Sequence, residues 1–359
     1  ELTRITFPFL LFICLSSFFS GILNSYNKFA AAAAAPIILN LILITSILFS
    51  YYFNLNITKQ LSYGVTIAGV VQLIFLIYFS YEFYKPNFKF NFKITSKVKF
   101  FFKKLLPSIF SSGVTQINIL VGTIIASFQS GAVSYLYYAD RVYQINLAIA
   151  GIAVGTVSLP VLSKAFKSKN YSKITNIQNK SIQLSLLLSI PASLGLIIGS
   201  EEIVNGLFGY GSFSSKDVKM TAEALMFFGY GIIAFALVKI FSNFFFARDN
   251  TKTPFYISSF IVFLNVSISL IFFEQLGFLI IPLATSISTW VGVFIFLYFL
   301  KKKNYLLLRT ELFYNFYKIV VSTAIMCLVL MFALKKYSSY LEYAYTYKSI
   351  YLLVIVGFV

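Results

Sequence analysis

Long apolar runs separated by short polar connections dominate the chain. Each of ten runs is close to the roughly 20 residues that an α-helix needs to cross a bilayer. The runs are continuous rather than alternating, which argues against the shorter segments of a transmembrane β-barrel. The predicted fold class is therefore all-α, a polytopic transmembrane helical bundle. The predicted spans lie near 5–26, 33–53, 62–84, 105–128, 132–160, 176–199, 219–246, 254–273, 278–300 and 312–334, with an incomplete eleventh near 345.

Composition agrees with a membrane location. Apolar residues make up 59% of the 359 residues and charged residues 11%, with a mean hydropathy of +0.84. A soluble domain usually carries about 25% charged residues, so lipid is the expected solvent for most of this surface. The net charge is +18. Because the basic residues cluster between apolar runs, they indicate membrane lipids with anionic headgroups as partners, and we expect no nucleic acid.

The sequence shows no catalytic constellation. It contains no histidine, the commonest catalytic base and metal ligand. Cys14 and Cys327 lie inside apolar runs and are interpreted as small core residues. There is no nucleotide-binding glycine loop and no pair of deep carboxylates. We therefore predict that the protein is not an enzyme and that it holds neither a metal nor a cofactor.

Basic residues alternate along the chain and predict the orientation of the helices. They are enriched after the third, fifth, seventh and ninth runs, and the tenth connection is an exception. Because cytoplasmic connections carry the excess of Lys and Arg, the odd-numbered connections are predicted to be cytoplasmic. This parity places Glu1 on the outer face, so we expect an odd number of helices before it. The enriched residues are Lys85, Lys89, Lys93, Lys97, Lys99, Lys103, Lys104, Lys164, Lys167, Lys169, Lys173, Arg248, Lys252, Lys301, Lys302, Lys303 and Arg309.

The strongest candidates for substrate binding are the pair Asp140–Arg141 and Gln144, which follows one turn later. The pair lies about nine residues into its predicted helix, hence roughly 13 Å below the outer surface. Burying an arginine in a bilayer costs at least ~2.5–3.5 kcal/mol, so a partner or a function is expected. Arg141 either faces an anionic substrate, for which a guanidinium is suited, or pairs with another helix. Adjacent residues point about 100° apart, so Asp140 is a poor ion-pair partner and is expected to orient Arg141 or to cap a helix.

Other polar and small residues within the apolar runs can be interpreted as structural or as functional. Gly151 and Gly155 lie one turn apart before Pro160, which is expected to end the run, and they indicate either close helix packing or a bendable helix. Lys239 either extends to the inner headgroups or contacts a ligand. Five amides are interpreted as buried interhelical contacts rather than ligands. These are Asn24, Asn40, Gln116, Asn118 and Asn265.

Several segments together resemble the bacterial lipid II flippase MurJ (MviN) family. The most specific are Ser134–Gln144, with its Tyr-Ala-Asp-Arg block, and Phe246–Pro254, with its Arg-Asp-x-x-Thr-Pro turn. Further similarities are Arg4–Phe9, Asn24–Asn40 and the Gly151–Pro160 stretch with Leu162-Ser163, and the Leu106-Pro107 pair followed by Gln116–Asn118. The resemblance covers nearly the whole chain.

The resemblance implies a two-lobe exporter of about fourteen helices in the multidrug/oligosaccharidyl-lipid/polysaccharide exporter superfamily. Its members carry an undecaprenyl-pyrophosphate-linked peptidoglycan precursor outward across the bacterial inner membrane. Arg141 falls on the family's central-cavity arginine, thought to engage the diphosphate, and Asp140 on the adjacent acidic position. Eleven helices here would leave the first three, with other cavity arginines, before Glu1. Cell-wall synthesis machinery is a further candidate partner.

The expected organisation follows from this resemblance. Residues 1–84 would be the remainder of an N-terminal lobe, 85–104 a basic cytoplasmic linker, 105–300 the C-terminal lobe, and 301–359 additional C-terminal helices. The alternatives are a related exporter of polysaccharide-linked lipids or drugs, and an inactive membrane scaffold. A cation exporter would be expected to carry several acidic residues deep within its predicted spans, and in this sequence Asp140 is essentially the only one.

Overall fold

The elements of secondary structure in the computed structural model are all helices, over the residues that the structure describes: 1–26, 28–84, 96, 98–99 and 116–340. The all-α prediction is confirmed. Most of the predicted basic linker 85–104, the beginning of the fourth run and the eleventh run lie outside the described residues. The chain divides into two compact units, Glu1–Thr95 and Ser96–Val359, and the division into lobes stays a prediction.

The first unit consists of helices packed through small residues. It contains α1 (Leu2–Thr6), α2 (Pro8–Ser25), α3 (Phe29–Tyr52) and α4 (Ile57–Ser80). Helix α4 packs against both α2 and α3. A Cβ atom at Gly69 would lie 2.8 Å from the Phe9 ring. Because only a glycine leaves this space, α4 and α2 approach closely.

The second unit contains the remaining helices. They are α5, described over Gln116–Ser127, α6 (Ala132–Leu147), a π-helical turn (Ala148–Ala153), α7 (Val154–Lys167), α8 (Tyr171–Ile198), α9 (Ser200–Phe208), α10 (Ser215–Gly229), α11 (Ile232–Phe246), α12 (Lys252–Leu276), α13 (Ile280–Lys302) and α14 (Thr310–Tyr340). Helices α6, the π turn and α7 form one 36-residue apolar stretch, Ala132–Lys167.

Seven helical stretches in the described residues are long and apolar enough to cross a membrane, or eight with α10 and α11 counted as one broken span. One of them, Lys252–Lys302, holds 51 residues and both α12 and α13. Gly277 has a φ of +57° between these helices, and Ile261 of α12 lies against Gly292 of α13. These two residues are similarly far from Gly277 in sequence, so α12 and α13 form an antiparallel hairpin.

The run predicted at 219–246 is not one continuous helix. Helix α10 ends at Gly229, α11 begins at Ile232, and the two are bent by 42°. Side chains from other helices bond the carbonyls at this break. Ser193 Oγ donates to Gly229 O at 2.7 Å, and Ser286 Oγ donates to Phe227 O at 2.7 Å. Trp290 Nε1 donates to Tyr230 O at 2.9 Å. A break inside a membrane is stable because its backbone groups gain such partners.

Three connections meet at one end of the second unit. Arg248, after α11, donates to Tyr305 O at 2.7 Å and stacks 4.1 Å from the Phe166 ring. Phe166 precedes the α7–α8 connection, and Tyr305 follows α13. These are the fifth, seventh and ninth connections, whose basic residues predict a common side of the membrane, and they lie together. Burial of the Arg248 guanidinium lowers its pKa to about 10, so it stays charged at neutral pH.

We expect the serine bonds at the α10–α11 break to contribute measurably to stability. Ser286→Ala leaves the half-buried Phe227 carbonyl without its side-chain donor, which costs ~1–3 kcal/mol. Ser267→Ala is the matched control, because the Ser267 hydroxyl makes a solvent-exposed bond to Phe263 O of its own helix. Thermal unfolding of the purified variants in detergent should show a lower midpoint for Ser286→Ala alone. Equal midpoints would contradict this role.

Candidate functional site

Arg141 and Asp140 are adjacent on α6, but their side chains have different neighbours and different exposure. Arg141 is exposed on the surface of the second unit, where it donates to Tyr137 Oη at 3.2 Å and lies 4.7 Å from the Tyr137 ring. Asp140 is half-buried and accepts a hydrogen bond from Gln144 Nε2, one turn along the helix. Neighbouring side chains diverge by about 100° around a helix, and the hydrogen bond of Asp140 goes to Gln144. The expectation that Asp140 orients Arg141 or caps a helix stays a prediction.

The positive charge of Arg141 has no acidic partner in the part of the chain that the structure describes. No carboxylate oxygen there lies within 4.0 Å of its guanidinium. Among the described residues, its guanidinium contacts only Tyr137, through a hydrogen bond to the hydroxyl and through the ring face. A guanidinium has five N–H donors in a fork that matches phosphate oxygens. Arg141 is therefore available to bind an anion with two or more oxygens.

Asp140 and Gln144 line a cleft of about 560 Å³ within the second unit. The cleft is mainly apolar and is bordered by residues of α5, α6, α10, α11, α12 and α13, but Arg141 is not among its lining residues. Asp140 is the one charged residue among the described residues that line it. The three residues predicted to bind substrate are thus divided between the cleft and the exposed face beside it.

A neutral amide network forms part of this cleft. Asn265 Nδ2 donates to Asn118 Oδ1 at 2.7 Å, and Thr285 Oγ1 lies 3.4 Å from Asn265 Oδ1. Asn118 thus has an interhelical contact, as the sequence predicts for the five amides. Only Asn265 is buried and Asn118 half-buried; Asn24, Asn40 and Gln116 are exposed. The prediction of burial is wrong for those three residues. An apolar run predicts a helix, but it does not show whether a given side chain faces the neighbouring helices or the surface.

Gly151 and Gly155 form a close contact between the α6–α7 stretch and α11. A Cβ atom at Gly151 would lie 3.1 Å from the Ala236 Cα, and one at Gly155 would lie 3.0 Å from Asn243 Nδ2. Asn243 Nδ2 also donates to Gly155 O at 2.8 Å. The close-packing reading is therefore correct. Gly151 lies inside the π turn, a distortion that often marks functional positions in helices, and the sequence does not predict this turn.

Pro160 and Lys239 belong to the two helices that form this contact, α7 and α11. Pro160 does not end its helix as expected, because α7 continues to Lys167 around it. Proline removes the N–H that would reach Thr156 O, and Pro160 is exposed. Lys239 is exposed, and its Cγ would lie 3.4 Å from a Cβ atom at Gly155. The stem of Lys239 thus covers the glycine, while no carboxylate among the described residues pairs with its ammonium group.

Comparison with known proteins identifies the family. The family model described as lipid II flippase MurJ matches residues 1–351. A probable lipid II flippase MurJ of Rickettsia prowazekii (strain Madrid E) is 36% identical over 347 residues, 96% of this chain and 67% of the relative. The one of Rhizobium tropici is 34% identical over 330 residues, 91% of this chain. The chain spans 62% of that relative's length.

Solved structures agree with this result. Lipid II flippase MurJ in an inward closed conformation matches with a TM-score of 0.79 and 27% identity, over 99% of this chain and 72% of that chain. An inward-facing multidrug resistance MATE family transporter of the MOP superfamily matches with a TM-score of 0.72 and 15% identity, over 84% of this chain and 70% of that chain. The latter likeness concerns the fold alone.

The helical architecture and these similarities define a multi-pass membrane protein whose fold is shared with MurJ and with MATE transporters. Within that class, the chain belongs to the lipid II flippase MurJ family and is a multi-pass inner-membrane protein. The resemblance observed in the sequence is confirmed. The roles of Arg141, Asp140, Gln144, Lys239 and Asn118 stay predictions.

We expect the two helical glycines Gly151 and Gly195 to respond oppositely to alanine. Gly151→Ala places a methyl group against the Ala236 backbone, so α6–α7 and α11 must separate, at ~1–3 kcal/mol. Gly195→Ala in α8 is the control, because no atom lies within 4 Å of its added Cβ. That substitution should stabilise the helix by ~0.5–1 kcal/mol. Thermal unfolding in detergent compares the two. A Gly151→Ala midpoint at or above wild type would contradict the close contact.

Proposed function

We propose that this chain takes part in moving an undecaprenyl-pyrophosphate-linked peptidoglycan precursor from the inner to the outer leaflet by alternating access. The observation that carries the proposal is the Arg141 charge, which lies within a predicted span without an acidic partner among the described residues. The names of the similar proteins support the same substrate. A role in cell-wall biogenesis follows from it, and contact with cell-wall synthesis machinery remains a prediction.

The chemistry of a diphosphate fits this arginine. A guanidinium stays charged and can donate two parallel hydrogen bonds to phosphate oxygens. Tyr137 stacks on it at 4.7 Å, which restricts its rotamers before a ligand arrives. The anion supplies negative charge at hydrogen-bonding distance, which no carboxylate among the described residues does, and it thereby offsets the cost of keeping an arginine in the membrane.

Movement between leaflets needs no covalent step. We propose that the protein is a transporter and not an enzyme, because flipping changes the side of the substrate without changing its bonds. The elements able to change shape are the π turn at Gly151 and the bent pair α10–α11. Both touch α11, since Gly151 packs on Ala236. A shift of α11 would therefore move the helix that carries Arg141.

Lys239 is proposed as a second cationic contact for the same substrate. Its stem lies over Gly155, and Gly155 lies 14 residues after Arg141 along a nearly continuous helical stretch. At 1.5 Å per residue this is roughly 20 Å along the axis. Lys239 would thus meet the diphosphate nearer the predicted cytoplasmic side, and Arg141 nearer the outer side.

We expect Arg141→Ala to reduce transport strongly. A charge-assisted hydrogen bond contributes ~1.5–3 kcal/mol, so the flipping rate should fall roughly 10- to 150-fold. Arg141→Lys should be intermediate, because it keeps the charge and loses the fork. The measurement is growth of a strain that depends on this protein, together with cleavage of the precursor by a membrane-impermeant hydrolase added outside. Lys173→Ala, at the opposite end of the unit, is the control. Full transport by Arg141→Ala would refute its role, and would favour a scaffold.

The role of Lys239 is tested by removing its charge while keeping its stem. Lys239→Met should slow transport in the same assay, and Lys239→Arg should preserve it, because the positive charge is what contacts the substrate. The matched control is Lys318→Met, another lysine within an apolar span, whose ammonium group lies 4.3 Å from the Tyr314 ring. If Lys239→Met and Lys318→Met are equally active, Lys239 serves only to reach the headgroups.

A further inference from the structure

An aromatic pocket lies at the end of α6 that is remote from the basic connections. Its volume is about 320 Å³, and Tyr138, Phe208, Tyr210, Ser212 and Phe213 line it. Tyr138 comes from the second turn of α6, Phe208 ends α9, and the other three belong to the connection between α9 and α10. The sequence predicts only an interfacial loop in this region, without a pocket.

The walls of this pocket are fixed before any ligand binds. The Tyr138 ring lies 4.8 Å from Phe208 and 5.4 Å from Phe213, the latter at 87°. The connection is also tied to α6, because Tyr135 Oη donates to Asp217 Oδ1 at 2.8 Å. Asp217 in turn forms a capping box with Ser214 at the start of α10. These contacts hold the rings at set positions and angles.

Tyr210 differs from the other rings of the pocket. It is 72% exposed, and none of the described rings stacks on it. It lies between Gly209 and Gly211, and Gly211 has a φ of +66°. The Tyr210 ring therefore has an exposed face beside the pocket that a ligand could contact. The Ser212 hydroxyl and the Tyr210 hydroxyl add hydrogen-bonding groups at the rim.

The pocket is adjacent to Arg141. Tyr138 precedes Arg141 by three residues, and side chains at this spacing are neighbours on a helix, about 5–6 Å apart at their Cβ atoms. Tyr137, which contacts the guanidinium, is also next to Tyr138, and their rings lie 6.1 Å apart. A ligand whose phosphate meets Arg141 would therefore bring the group bonded to that phosphate close to these rings.

We propose that this pocket holds the sugar ring that is bonded to the diphosphate of the substrate. The electron-rich face of an aromatic ring attracts the weakly positive C–H groups of a sugar face, and the rim hydroxyls can bond its hydroxyl groups. Because Tyr138 of the pocket is a helical neighbour of Arg141, a sugar attached directly to a diphosphate at Arg141 would lie next to the pocket. This inference rests on the proposed function, because it assigns one part of the same substrate to a second set of residues.

The experiment compares two probes on the purified chain in nanodiscs by native mass spectrometry. One is a short-chain polyprenyl diphosphate that carries a single N-acetylhexosamine, and the other is the same polyprenyl diphosphate without the sugar. Tyr210→Ala should weaken binding of the sugar-bearing probe about three- to tenfold, the range expected for one aromatic contact, and leave the sugar-free probe unchanged. Tyr210→Trp should retain the affinity.

Two further variants separate the inference from the proposed function. Arg141→Ala should weaken both probes. Tyr171→Ala, which removes a tyrosine that is 74% exposed at the opposite end of the unit, should weaken neither. If Tyr210→Ala weakens both probes equally or neither, the sugar pocket is refuted, and Tyr210 is an interfacial anchor, while the proposed function stands. If Arg141→Ala weakens neither probe, or wild type binds neither, the proposed function fails and the inference fails with it.

Discussion

Hydrocarbon offers no hydrogen-bond partner to a peptide group or a charge, and the second unit is organised around that constraint. Where the chain breaks between α10 and α11, the freed carbonyls accept bonds from Ser193, Ser286 and Trp290 on other helices. The protein thus provides partners for its own irregular backbone at depth. Arg141 is different, because no carboxylate among the described residues lies within 4.0 Å of its guanidinium. An anion from outside the protein is the simplest complement.

The surrounding packing gives this arginine a defined place. Helix α6 is tied to the α9–α10 connection through Tyr135 and Asp217 at one end. Further along, the same helical stretch packs on α11 through glycines, and Asn243 of α11 donates to the Gly155 carbonyl. Arg141 lies between these two attachments. Its position therefore depends on α11, which begins at the break, so a change in the bend of α10–α11 would displace Arg141, the residue for which we propose contact with the substrate.

Features that depend on local composition were predictable from the sequence. The spans follow from continuous apolar runs, and close helix packing at Gly151 and Gly155 follows from two glycines one turn apart, although the sequence does not show that α11 is the helix packed there. Features that depend on distant partners were not. The α10–α11 break is stable because Ser193 and Ser286, far away in sequence, bond its carbonyls. Likewise, α7 continues through Pro160 to Lys167. The sequence alone does not show this, because a membrane helix can continue past the missing N–H of a proline.

The central claim is that Arg141 recognises a diphosphate, and the most direct measurement is the affinity of the purified chain for two long-chain lipids in nanodiscs. One is undecaprenyl diphosphate and the other is undecaprenol, which has the same chain without phosphate. The account predicts that wild type prefers the diphosphate by at least roughly tenfold, equivalent to one charge-assisted contact, and that Arg141→Ala loses this preference while binding undecaprenol as before. A preference of the same size in both proteins would contradict it.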